Sequence, residues 1–164
     1  MPLPGNTSQT ARLLSSPPAF GVGWQERIIV PNPGAGANWV HTVDGRYYER
    51  LLSCRYTFTT SATVANRFPG IELRDTDGNF VTVMPGGQNV AANVSLSAYL
   101  TLGGPAYAQG TAGNTVGFIP DLLVPPGWTW GSVVGAMDPG DAFTSILLIV
   151  QRFPNDAAEI TIGE

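Results

Sequence analysis

The stretch Leu122 to Phe153 constrains the fold most, because it reads as three β-strands cut by two proline-glycine turns. The runs Leu122-Leu123-Val124, Trp128 to Val134 and Phe143 to Phe153 are rich in β-branched and aromatic residues. Pro125-Pro126-Gly127 and Asp138-Pro139-Gly140-Asp141 separate them. Proline fixes φ and removes a backbone donor, and glycine admits φ > 0, so such clusters end a strand and reverse the chain. Nothing in this stretch is chemically reactive. It is scaffold, and function is to be sought on surfaces.

The same alternation runs upstream. Tyr48 to Thr60 is the clearest strand, with Leu52, Cys54, Tyr56 and Phe58 on one face and Glu49, Ser53, Arg55, Thr57 and Thr59 on the other. A strict period of two means one buried and one wetted face. Shorter strands are expected at Ile28 to Val30 and Trp39 to Val43. Ile71 to Arg74 and Phe80 to Met84 flank Asp75-Thr76-Asp77-Gly78-Asn79, the best hairpin signal in the chain. Val94 to Leu102 follows, and Gly103 to Gly117 reads as a long loop. No amphipathic helix stands out. About eight to ten strands at this spacing predict an all-β protein, a jelly-roll-like antiparallel β-sandwich as first choice of topology, with an immunoglobulin-like arrangement not separated from it by the sequence.

Residues 1-23 carry Pro2, Pro4, Pro17 and Pro18 and a polar Asn6 to Thr10 run, a composition that forms neither helix nor sheet alone. They predict an extended N-terminal arm before a sandwich domain spanning 24-164. Leu13, Leu14 and Phe20 are the arm's candidate anchors on a partner. The strand Phe143 to Phe153 places Ile146, Leu148 and Val150 beside Leu147 and Ile149, so both of its faces are apolar. Ile146, Leu148 and Val150 are therefore candidate partner-binding residues; either an arm or loop covers the strand's outer face or a second subunit of a homo-oligomer, a trimer foremost, does.

Composition narrows the function. Charged residues make up 12% of the 164 residues, against about 25% in an ordinary soluble domain. The formal net charge of -4 argues against nucleic-acid binding, which needs a clustered basic face. The eight basic residues are all arginine, so no Schiff-base or Walker lysine is available. The longest apolar run, Ile146 to Val150, is far shorter than a bilayer span. Met1 to Phe20 lacks the basic and apolar regions of a signal peptide. No membrane partner is expected.

Candidate chemistry is thin. His41 and Cys54 are the only residues of their kinds. Pairing them for nucleophilic catalysis would require an exposed, acidified thiol, yet the alternation puts Cys54 on the core face. Asp75, Asp77 and Asn79 imitate the start of a calcium loop, but that loop's sixth-position glycine is replaced by Phe80 and its twelfth-position acid by Gly86. A hairpin turn explains the segment better. Trp128 and Trp130, with Trp39 or Tyr107, could stack on sugar rings, although core packing is the commoner use of such residues. No catalytic, cofactor-binding or metal-binding residue is assigned, and no enzyme is expected.

The segment Leu51 to Arg67, followed by Ile71-Glu72-Leu73-Arg74-Asp75 and Asp77-Gly78-Asn79, resembles small β-rich virion proteins of tailed bacteriophages. Leu123 to Thr129 and Met137 to Asp141 follow the same pattern, and the resemblance spans roughly residues 45 to 153. Within that class the chain is most similar to capsid decoration, or cement, proteins. The resemblance implies a structural protein on the outer capsid surface, made in the host cytoplasm, that clamps neighbouring major capsid subunits. It supplies no catalytic residues. A tail or head-tail accessory protein is the alternative within virions, and a carbohydrate-binding module the alternative outside them.

Overall fold

The computed structural model describes residues 23–85, 89–104, 108–109 and 113–155. Eleven strands are formed among them: β1 (Trp24–Ile29), β2 (Val40–Thr42), β3 (Tyr47–Thr59), β4 (Phe68–Arg74), β5 (Phe80–Pro85), β6 (Ser95–Leu102), β7 (Ala108–Gln109), β8 (Asn114–Ile119), β9 (Leu123–Val124), β10 (Thr129–Gly135) and β11 (Ala142–Pro154). The proposed arm, and with it Leu13, Leu14 and Phe20, lies outside the described residues.

The strands form two sheets packed as a sandwich. One carries the order β1-β11-β3-β6-β8-β7, with β9 added beside β3, and the other β2-β10-β4-β5. Eight of these strands form two antiparallel quartets, β1-β11-β3-β6 and β2-β10-β4-β5. Along the eight, the chain changes sheet at every connection except the β4–β5 hairpin. That is jelly-roll connectivity. Strands β7 to β9 belong to the long connection between β6 and β10, and β8 runs parallel to β6. The sequence reads Leu122 to Val124, where β9 forms, as a strand, but shows Gly103 to Gly117, where β7 forms and β8 begins, only as a glycine-rich loop. Gly117 has a structural reason, since a Cβ there would lie 2.5 Å from Leu100 Cδ2 on the neighbouring strand.

The two inner faces meet in one core. Tyr56, Phe58, Leu96, Ala98, Leu100, Phe143, Ile146, Leu148 and Val150 come from the larger sheet, and Ile71, Leu73, Met84 and Trp130 from the smaller. Phe143 is central, with ring centroids 5.4 Å from Tyr56 in an edge-on contact and 4.8 Å from Phe58.

Two bulges alter the expected faces. On β3, Ser53 pairs with Ile149 and Leu51 with Val150, which leaves Leu52 as an extra residue. Alternation therefore changes phase: Leu51 and Glu49 are buried while Leu52 is only half-buried. The expected assignment of Leu52 to the core face and Glu49 to solvent is thus corrected by one inserted residue. On β11 the pairing skips from Thr144 to Leu147, and Ser145 sits in the left-handed region at φ 54°.

Four connections gather at one end of the sandwich. The Gly36 amide donates to the Asp141 carbonyl, Asn93 to Ser61 and Thr60 to Val94, and Arg67 pairs with Val90. These bonds tie the β1–β2, β3–β4, β5–β6 and β10–β11 connections together. Beneath them Arg67 and Asp141 are completely buried, Nε to Oδ2 at 2.6 Å.

Candidate functional site

Of the six candidate partner-binding residues, Leu13, Leu14 and Phe20 lie outside the described residues. Ile146, Leu148 and Val150 are at most 1% exposed and belong to the core. They are not a docking surface, which is a correction with a simple cause. Strand β11 is interior to its sheet, between β1 and β3. After the Ser145 bulge its even-numbered apolar residues point inward, while Leu147 and Ile149 stay half-buried on the outer face.

One exposed apolar surface lies on the outer face of the smaller sheet. Strand register aligns two rows there: Val40, Gly131, Glu72 and Val83, and then Thr42, Thr129, Arg74 and Phe80. Val40 is 58% exposed, Phe80 57% and Val83 44%. Phe68, on the same face of β4, is also exposed. Gly70 and Gly131 add no side chains in the middle. At Gly131 a Cβ would come within 3.0 Å of the Trp39 carbonyl oxygen. The result is a sheet face with small residues at its centre and apolar side chains at its margins.

One ion pair runs along β4 on this face. Arg74 Nε donates to Glu72 Oε1 at 2.6 Å, and the Arg74 guanidinium lies 3.9 Å from the Phe80 ring centroid. The Glu72 hydrogen bond is the main cause that raises the Arg74 pKa. Pairing two charges internally and laying the cation on a ring lowers the polarity a partner must displace.

The remaining polar candidates are occupied. Cys54 is buried, and burial pushes its thiol pKa far above the usual range. His41 Nε2 lies 2.9 Å from Glu49 Oε2, and Glu49 Oε1 accepts from Arg152 at 2.8 Å. Glu49 is fully buried, and its expected place on the wetted face concealed this cluster from sequence reasoning. Asp75 serves the hairpin: its Oδ1 accepts from the amides of Asp77 and Asn79, while Gly78 takes φ 82°. Among the described residues no group of three or more His, Cys, Asp or Glu is placed to hold a metal ion. Trp39 and Trp130 are buried in the core, with Trp128 packed against it, so these three form no stacking platform. Tyr107 lies outside the described residues.

No family model matches the chain, and no curated protein matches it significantly. Two solved structures show a distant likeness. For infectious bursal disease virus Gt strain the identity is 14% and the TM-score 0.28, over 85% of this chain and 42% of that one. For the Gx strain the values are 12% and 0.28, over 86% and 40%. The chain therefore spans less than half the length of either. Likeness at this level carries no argument, and the jelly-roll assignment rests on strand order and register alone.

Proposed function

We propose that this chain is a structural virion protein: a jelly-roll subunit that binds the outside of a phage capsid and stabilises it by clamping neighbouring major capsid subunits. The observation that carries the proposal is the outer face of the β2-β10-β4-β5 sheet. It is apolar at its margins, and its charge is neutralised internally by Glu72 and Arg74. Such a face suits a broad protein contact. Self-association as a trimer and contact with the major capsid protein are both part of the proposal, as is the absence of enzymatic activity.

The sequence resemblance to phage decoration proteins points the same way. Jelly rolls also serve as lectin domains, so the fold by itself does not choose between shell and sugar. Burial of Trp39 and Trp130 removes the ring platform on which the sugar reading was based. Replacing Phe80 and Val83 together by glutamate tests the proposal. The variant should stay folded, since both side chains are exposed, with a transition lowered only modestly by loss of the Arg74–Phe80 contact and by a carboxylate opposite Glu72, and should fail to bind particles stripped of the protein. Normal rebinding by a folded variant would refute this face as the contact.

A further inference from the structure

A second surface lies on the opposite side of the molecule. Strand β1 leaves the larger sheet after Ile29, where β11 bulges at Ser145. The departure opens a groove of about 390 Å³ lined by Arg27, Ile29, Val30, Asn32, Arg55 and Leu147, among others. Register fixes its geometry. Ile29, Leu147, Arg55 and Tyr99 form one row across four strands, and Arg27 stands beside Ile149 in the next row. By strand spacing and rise, the Arg27 and Arg55 Cα atoms are about 12 Å apart. Both side chains line the groove.

Neither of these two arginines takes part in an ion pair among the described residues. Arg46 is paired with Asp44, Arg50 with Asp121, Arg67 with Asp141, Arg74 with Glu72, and Arg152 with Glu26 and Glu49. Among the described residues Arg27 and Arg55 alone of the arginines face no carboxylate. The Arg55 guanidinium lies 5.4 Å from the Tyr99 ring centroid, a contact that leaves its charge intact. In a chain of net charge -4, the two arginines that face no carboxylate among the described residues meet at one groove with apolar walls.

From this we infer a binding site for an acidic, partly apolar peptide segment of another protein, with carboxylates on Arg27 and Arg55 and an apolar side chain against Ile29 and Leu147. Guanidinium forks match carboxylate geometry. Two charges release too few counterions to hold a nucleic acid. A sugar would want an open ring, and the nearest one, Tyr99, has Arg55 against it. The inference does not depend on the virion proposal, because the groove belongs to the isolated subunit and is built from residues outside the β2-β10-β4-β5 sheet.

The test uses the full chain and a dye-labelled pentapeptide alternating glutamate and valine, followed by fluorescence anisotropy at low salt. The native protein should bind saturably, and the glutamine-valine counterpart should not. Arg27→Gln with Arg55→Gln should weaken binding at least about tenfold. Arg46→Gln, which alters a different and exposed ion pair, should leave it unchanged. Should the double variant unfold, Arg27→Glu alone, at an exposed edge-strand position, should produce the same loss. Failure of the native protein to bind at millimolar peptide, or equal binding by the double variant, overturns the inference. So does complete displacement by equimolar sulfate or heparin, which would mark a site for small or sulfated anions. A change of oligomeric state in the double variant would make a second copy the occupant and overturn the heterologous partner.

Discussion

Arg67 and Asp141, 74 residues apart in sequence, meet with Nε and Oδ2 at 2.6 Å where neither side chain touches solvent. Arg67 also donates to the Thr63 carbonyl and the Ser61 hydroxyl, while Asp141 accepts from the amides of Ser61 and Asp138. A buried pair is tolerable only when its remaining donors and acceptors are satisfied in this way. Removing one partner leaves the other charge stranded. Arg67→Met or Asp141→Asn should each cost about 3–5 kcal/mol in urea unfolding, and replacing both by apolar residues should cost less than either. A loss below 1 kcal/mol for the single variants, roughly the worth of an exposed pair, would show that the charges are not isolated from water.

The same pair contributes to the acid sensitivity of the fold. Burial pushes the Asp141 carboxyl up, but the hydrogen bonds from Arg67 and the two amides outweigh it and hold the pKa below the ordinary 3.8. The unfolded chain then binds the proton more readily than the folded one. Stability from this group is complete above pH 3.8 and is lost as pH falls through the lower folded value. Stability should therefore stay level from neutral pH to just above 4 and decline below it. The decline should be shallower in Asp141→Asn. Asp75 and Asp138, whose pKa values are also lowered, act in the same direction. A stability that already fell between pH 7 and 5 would point to other groups.

Tyr56 presents the opposite case. Its hydroxyl is buried without a hydrogen-bond partner among the described residues, and its pKa is driven up first by burial and then by Cys54. Folding strips water from the hydroxyl with no compensating bond. Tyr56→Phe keeps the edge-on contact with Phe143 and should raise stability by about 1 kcal/mol. A loss of that size would mean that the hydroxyl is satisfied in solution.

Cys54 should behave as a core residue. Its burial and raised pKa predict no reaction with thiol reagents in the folded protein and stoichiometric reaction in urea. Rapid labelling of the native protein would contradict its place on β3.

Much of the architecture was legible because strand and turn chemistry are local. The hairpin at Asp75 to Asn79 could be read from an aspartate able to hold two amides and a glycine able to take positive φ. The Cys54, Tyr56 and Phe58 face was legible from alternation. What escaped depends on single inserted residues. Leu52 and Ser145 each shift the phase of a strand, moving Glu49 inward and assigning Ile146, Leu148 and Val150 to the core, and no local signal marks either bulge. Pairing of β8 with β6 was hidden because Gly117 is needed for its contact with Leu100, and glycine reads as loop. The outer-face rows and the meeting of Arg27 and Arg55 at one groove emerge only from register between strands distant in sequence.

The virion proposal is tested most directly by quantitative mass spectrometry of purified, intact particles from the producing host, with copy number calibrated against the major capsid protein. A shell-stabilising subunit should be present in many copies, in a fixed ratio to that protein, and should be lost together with shell stability when the particles are stripped. Absence from washed particles, or a copy number of only a few per particle, would contradict a capsid-decorating role.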